Sequence, residues 1–437
     1  MPLPKPPGPT ASPLRTTRRF GSDPLSFLSA LEAAYPDVAA FRYGPATLYA
    51  ISDPTAGRAV LDGTGGRYAK LETAGDDVEA LLGSGLLLSE GEQWRRHRRL
   101  AEPWFARNQV AEAVPRMAER TRERVAAWDL GRRVDVYREM SALTLSVLCD
   151  VAFGVSLPQE RLRRLREALV PVGTRFEPDP LGSMLPDWLP RPGDREFRES
   201  VRTLESIVDE VVDERRRTAD GDDERFLDAL LRAREEGAFS RAELRDELVT
   251  FLLAGHDTTA LTLTYAWYLL AHHPAVDARL AEEATGRDGP VTSAALDDLG
   301  VAGRVVREAL RLYPPAWLLL RRPTTDVSLA GYRVPAGATL LLSPWAIHRS
   351  DRWYESPETF DPARWTAGRA PSGPAYLPFG AGPRTCVGRQ FALVEARVVL
   401  TTVAETVRLV DPPDALDLRP TLTLHPADPV ELAVERR

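Results

Sequence analysis

The chain has 437 residues, 43% hydrophobic and 27% charged, with only two cysteines, Cys149 and Cys386. Two distant thiols exclude a disulfide scaffold, a zinc knuckle and a four-cysteine iron-sulfur site, and make a reducing cytoplasm the default location. The net charge of -7, from 56 basic and 63 acidic residues, is too mild to argue for nucleic acid or an acidic membrane surface. All the basic residues except Lys5 and Lys70 are arginine, a bias that codon usage accounts for.

Residues 1–22 lack the apolar core of about 7 to 15 residues that a secretory signal needs, and they read as an extended, proline-stiffened lead. Asp23 before Pro24 opens a helix with Phe27, Leu28 and Leu31, stopped at Pro36. VAAFRY and ATLYAI flank Gly44-Pro45 as a hairpin. From Gly91 to Arg234 the pattern is mostly helical, with Phe197, Val201, Leu204, Val208 and Val211 at helical spacing. The proline-rich stretch 171–193 interrupts it. Its Met184, Leu185, Trp188 and Leu189 are apolar for a surface connection, which suits a lid or binding loop.

Ser240 and Glu243 form a capping-box signature, and no proline follows until after His273. A helix of that length, roughly 50 Å at about 1.5 Å per residue, must cross the molecule. Its apolar part, Val249 to Ala271, is long enough for a bilayer, but His256, Asp257, Thr258 and Thr259 lie near its middle. A central Asp costs about 2.5 to 3.5 kcal/mol on insertion, so the stretch reads as a buried helix of a soluble protein with a polar break to be explained. A shorter helix ends at Tyr313-Pro314-Pro315. Short β segments (DVSLAGYRV, ATLLLS) follow, then aromatic-rich coil from Trp353 to Phe379, a helix after Cys386 and a strand-like tail. No repeat or low-complexity linker divides residues 23–437, which are expected to form one mainly α domain with minor β.

Cys386 stands in FGAGPRTCVGR, just before an apolar helical run. A thiol there meets the positive end of a helix dipole and free backbone N–H groups, which favour thiolate, while glycines at 380, 382 and 388 allow tight turns and close approach of a flat ligand. A lone buried cysteine beside a turn is the bland alternative, and the fixed glycines, arginines and aromatic around it argue against that.

With Phe379, Arg384, Cys386 and Gly388 at this spacing, the segment resembles the heme-ligand signature of the cytochrome P450 family, and the family's other landmarks run in order from Trp94 onward. The resemblance implies the cytochrome P450 fold, a single large helical domain holding heme b between the long central helix and the cysteine-ligand helix. Cys386 would be the axial thiolate on the iron, which as metal ligand pushes electron density toward the O–O bond. Arg384 would pair with a propionate, and Phe379 would shield the sulfur. Trp94 and Arg98 match the family's propionate-binding Trp-x-x-x-Arg helix, with His97 between them able to assist. Arg321 matches a further propionate ligand, in a register left open against Arg322. Glu308, Arg311 and Arg364 match a buried structural ion triad. Thr258 matches the oxygen-contacting alcohol and Asp257 the proton-relaying acid, which explains the polar break; a kink from Thr back-bonding is the plain alternative.

The same resemblance puts Leu87, Leu88, Leu253, Ala254, Trp317 and Leu318 at the substrate, with 171–193 and 423–425 nearby. This apolar set favours a hydrophobic small molecule, terpenoid-like in look, with fatty acids, macrolides and aromatic polyketides as rivals. The implied reaction is insertion of one oxygen atom from O2, a hydroxylation or epoxidation, in a cytoplasmic enzyme without membrane anchor or nucleic-acid partner. Electrons would come from NAD(P)H through a separate ferredoxin and ferredoxin reductase, for which Arg95, Arg96 and Arg99 offer a candidate basic patch. Asp257 with Thr258 argues against a peroxide-driven variant and against a heme sensor, and no histidine motif supports a cysteine-nucleophile hydrolase.

Overall fold

The computed structural model describes residues 3–63, 66–70, 76–177, 192–218, 224–287, 289, 291–369 and 373–437. The lead is extended only as far as residue 12. Ser12 then caps a helix, Pro13–Ser22, whose first position is a proline pre-set for helical φ. The expectation of an extended lead through residue 22 is therefore corrected. This helix docks on the sheet: Thr16 Oγ1 donates to the Arg42 carbonyl at 2.9 Å and Thr17 Oγ1 accepts from Gly44 N–H at 2.9 Å. The Phe20 ring lies edge-on to Tyr43 at 5.1 Å. Even the proline run is held, because the Pro7 carbonyl accepts from Ala40 N–H at 2.7 Å.

Asp23 caps the Pro24–Ala34 helix through Ser26 N–H. The hairpin forms as read, Val38–Tyr43 against Ala46–Ile51. It extends into a five-stranded sheet through Thr339–Leu342, Leu319–Pro323 and the short Tyr68–Ala69. Apolar side chains alternate to both faces, so the sheet separates two hydrophobic cores, one around Leu340, Leu342 and Tyr354, the other around Phe41, Leu341 and Trp317.

The much larger helical core surrounds the long helix, Arg241–His272, whose 32 residues begin with the reciprocal Ser240 and Glu243 bonds of the capping box. Apolar residues occupy most of its circumference because it is packed on most of its sides. Its main neighbour is the Val136–Leu148 helix, brought close at Gly255, where a Cβ would stand 3.0 Å from Leu148 Cδ2. The Gln159–Arg175 helix runs through Pro171, so the first five residues of the expected 171–193 loop are helical. Met184, Leu185, Trp188 and Leu189 lie outside the described residues. Among the described residues no helix is long and apolar enough to cross a membrane.

Candidate active site

The loop before the last long helix, Arg389–Ala404, folds Cys386 back on its own aromatic. Cys386 N–H and Thr385 Oγ1 both donate to the Phe379 carbonyl, at 3.0 and 3.2 Å. Gly380 and Gly382 make the turn possible with φ of 67° and 71°, and a side chain at 382 would strike the Leu61 carbonyl at 2.5 Å. Cys386 keeps accessible surface, yet the surrounding protein raises its thiol pKa; N–H groups of Gly388 and Arg389 and the charge of Arg98 oppose that rise without overcoming it. The N–H groups of Gly388 and Arg389 act in the direction expected of the helix start, and a bound metal cation would complete the stabilisation of the anion. Cys149 is fully buried, with its thiol pushed up by burial, and serves packing.

Cations from four segments converge beside this loop. Arg98 Nη1 donates to the Thr385 carbonyl at 2.7 Å. The Arg384 guanidinium lies over the Trp94 ring at 4.6 Å, donates to the Ser89 carbonyl at 3.1 Å and pairs with Glu90. Lys70 Nζ donates to the carbonyls of Leu86, at 3.0 Å, of Leu87, and of Ser89, at 3.3 Å. Burial, then the charge of Arg384, pushes Lys70 down to about 7 against the pull of Glu90. Arg321 is likewise lowered by burial and by Arg384. It thus faces the cluster, whereas Arg322 pairs with Ala69 at the sheet edge and points the other way along the alternating strand.

Lys70 belongs to no motif; its only signal in the sequence is rarity, as one of two lysines. His97 departs from expectation. One position round the helix from Arg98, it is buried with Nδ1 3.1 Å from Glu247 Oε2 and its ring 4.5 Å from Phe239, so it braces the Gly91–Ala101 helix on the long helix.

On the long helix Ala254 is exposed and Thr258 half-exposed amid buried neighbours, marking the open face of the site. Thr258 Oγ1 donates to the Ala254 carbonyl at 3.0 Å, a back-bond that loosens the helix there. Asp257 is held elsewhere: Oδ1 accepts from Tyr137 Oη at 2.7 Å, and Oδ2 accepts from Thr423 Oγ1 at 2.8 Å with His425 Nε2 3.4 Å away. Burial opposes its charge, but His425, His256 and Tyr137 together hold the carboxyl well below its usual range. Tyr137 and His425 lie 120 and 168 positions from Asp257 in segments without a motif that would point to it.

Leu87 is exposed, and Leu88 and Leu253 half-buried against the helical core. Trp317 is a correction. It is 4% exposed within the sheet core, its indole N–H bound to the Thr421 carbonyl at 2.9 Å, and Leu318 packs against the same core.

Behind the cysteine loop, Arg311 donates to Glu308 through Nε and Nη2 at 3.0 and 2.8 Å, and Arg364 Nε lies 3.4 Å from the same carboxylate. Trp365 Nε1 adds a bond at 2.8 Å. Arg311 also donates to the His348 carbonyl at 2.9 Å, and His348 Nε2 accepts from Leu377 N–H at 2.9 Å, two residues before Phe379. Burial and the adjoining charge of Arg311 push His348 down to about 3, so it is the neutral acceptor this bond requires.

A mainly helical fold with small sheets, a cysteine at a glycine loop, four converging basic side chains and an adjacent acid and alcohol on the long helix fit the heme-thiolate oxygenase class. The chain belongs to the cytochrome P450 family: the family model Cytochrome P450 matches residues 2–429. It is 33% identical over 430 residues to cyclooctatin synthase of Streptomyces melanosporofaciens, covering 95% of this chain and 92% of that one. It is 36% identical over 399 residues to cyclooctat-9-en-7-ol 5-monooxygenase of the same organism, covering 88% and 85%. To pentalenene oxygenase of Streptomyces avermitilis it is 34% identical over 409 residues, covering 91% and 89%. Among solved structures, the cytochrome P450DA heme domain superposes with a TM-score of 0.87 at 27% identity, covering 100% of this chain and 98% of that one. The chain is a cytochrome P450 monooxygenase.

Proposed function

We propose that this monooxygenase hydroxylates or epoxidises a cyclic terpenoid, in the cytoplasm, with electrons from NAD(P)H delivered by a separate ferredoxin and its reductase. The observation that carries the substrate class is the apolar open face formed by Leu87, Leu253 and Ala254. It is supported by the names of three relatives, two acting in cyclooctatin formation or on cyclooctat-9-en-7-ol and one on pentalenene. Of the candidate donor-docking arginines, Arg95 pairs with Glu92 and Arg96 with Glu243, which leaves Arg99 as the larger contributor to any basic patch.

The residues fit heme b. Cys386 offers an accessible sulfur, and Arg98, Arg321, Arg384 and Lys70 bring more basic groups together than Glu90 and Glu102 balance, a donor set suited to two propionates. Bound there, the cofactor supplies the activation of O2. The protein excludes water from the apolar face, sets Thr258 beside the reacting oxygen and keeps Asp257 as the acid behind it.

An optical spin-state titration tests the substrate class. Cyclic terpene hydrocarbons and alcohols are expected to give the high-spin shift at micromolar concentration and long-chain fatty acids none; the reverse ranking overturns the assignment. In the same holoenzyme Thr258→Ala is expected to lower product formed per NAD(P)H roughly tenfold or more, with the electrons recovered as peroxide, because general-acid contributions of this kind are worth about 10²- to 10⁴-fold. Unchanged coupling would remove Thr258 from the reaction.

A further inference from the structure

Resting on the reading of Asp257 as the acid of the site, we propose that His425 resupplies Asp257 with protons from solvent, while Tyr137 and Thr423 hold the carboxylate in the receiving position. Three segments remote in sequence build this arrangement. Tyr137 comes from the helix beside the long helix, and Thr423 and His425 from the C-terminal hairpin Leu418–Pro420 and Leu424–Pro426. The hairpin is fastened to the long helix, since Tyr265 Oη donates to the Leu424 carbonyl at 2.7 Å. His425 Nε2 stands 2.9 Å from Thr423 Oγ1 and 3.4 Å from Asp257 Oδ2, with its ring edge-on to Tyr137 at 5.3 Å. The His425 side chain is 21% exposed and that of Asp257 15%, so the imidazole is the wetter member of the pair.

The chemistry of the neighbours selects His425. Asp257 is an anion at neutral pH and stores no proton, so each proton it passes on must first be given to it. Tyr137 is raised well above its ordinary value by burial and by Asp257, and does not ionise. Thr423 donates a hydrogen bond but no net proton. His256 is buried on the long helix, lowered by burial and held to the Leu252 carbonyl through Nδ1. Imidazole is the side chain that gains and releases protons near neutral pH, and His425 is the part-exposed one within 3.4 Å of Oδ2. The remaining groups facing this cluster are Arg419, opposite His425 across the hairpin and 3.4 Å from Glu177, Asp135 near Tyr137, and Tyr265 near Asp257.

The step is a proton transfer only. Imidazolium His425 gives its Nε2 proton to Asp257 Oδ2 and becomes neutral imidazole, the neutral carboxyl is freed from its ionic partner to turn along the helix toward Thr258, and His425 is reprotonated by hydronium from bulk solvent, so one solvent proton is delivered per cycle.

The test uses the heme-loaded enzyme with saturating ferredoxin, reductase and NADPH. His425→Gln keeps a hydrogen-bonding side chain that cannot carry the proton. It is expected to slow O2 consumption roughly tenfold or more, raise the solvent isotope effect and remove the neutral limb of the pH–rate profile, with the reduced CO spectrum unchanged. Independently, the histidine NMR signal lost in His425→Gln should, in the reduced CO form and at fixed pH, change its position in Asp257→Asn, since the carboxylate 3.4 Å from its ring has gone. A parental pH profile and isotope effect in His425→Gln, with Asp257→Asn inactive, overturns the relay and leaves the acid reading intact. Full activity in Asp257→Asn overturns both.

Discussion

Cys386→Ser is expected to abolish the strongly red-shifted Soret band of the reduced CO complex and to bring monooxygenation down to background. The electron push needed to cleave O–O comes from sulfur, and a serine hydroxyl neither matches its softness nor ionises near neutrality. The backbone N–H of Cys386, rather than its sulfur, ties it to Phe379, so the substitution leaves the loop's own hydrogen bonds in place. Far-UV circular dichroism of the variant should therefore match the parent. Survival of the red-shifted band in Cys386→Ser would reassign the ligand.

What was legible in the sequence was whatever a local segment could encode alone. The capping box at Ser240 and Glu243 fixed the start of the long helix to the residue, and the FGAGPRTCVGR loop announced its turn through glycines at positive φ. Helix rotation was less legible. Nothing in Trp94 to Arg98 says that His97, one step of about 100° from Arg98, turns to Glu247 rather than to the cysteine loop. Trp317 follows the same logic: its burial depends on the Thr421 carbonyl more than a hundred residues later, which no periodicity reveals. Lys70, Tyr137 and His425 are the extreme case. Each lies in an ordinary segment and acquires its role only when the sheet edge, the Val136–Leu148 helix or the C-terminal hairpin is brought against the site.

Glu308→Gln is expected to have the largest effect on stability. The Glu308 carboxylate is fully buried and accepts from Arg311 twice, from Trp365 and from Asp361 N–H, with Arg364 at 3.4 Å. Losing the negative charge leaves the buried guanidinium of Arg311 and that of Arg364 without their common anion, a loss of about 3 to 5 kcal/mol. Set against a total of about 5 to 15 kcal/mol for a domain, this leaves little margin. The damage should also reach the cofactor, because Arg311 is bonded to the His348 carbonyl and His348 to Leu377, which leads directly into the Phe379–Cys386 loop. Glu308→Gln should therefore accumulate mainly as insoluble or heme-free protein, with the soluble fraction melting more than 5 °C below the parent. Arg311→Lys should fare little better, since one ammonium cannot replace a planar fork that serves Glu308 and the carbonyls of His348, Pro357 and Thr359 together. A parental melting temperature and heme content in Glu308→Gln would show that the triad is dispensable and that the cysteine loop is positioned by its glycines and the Phe379 carbonyl alone.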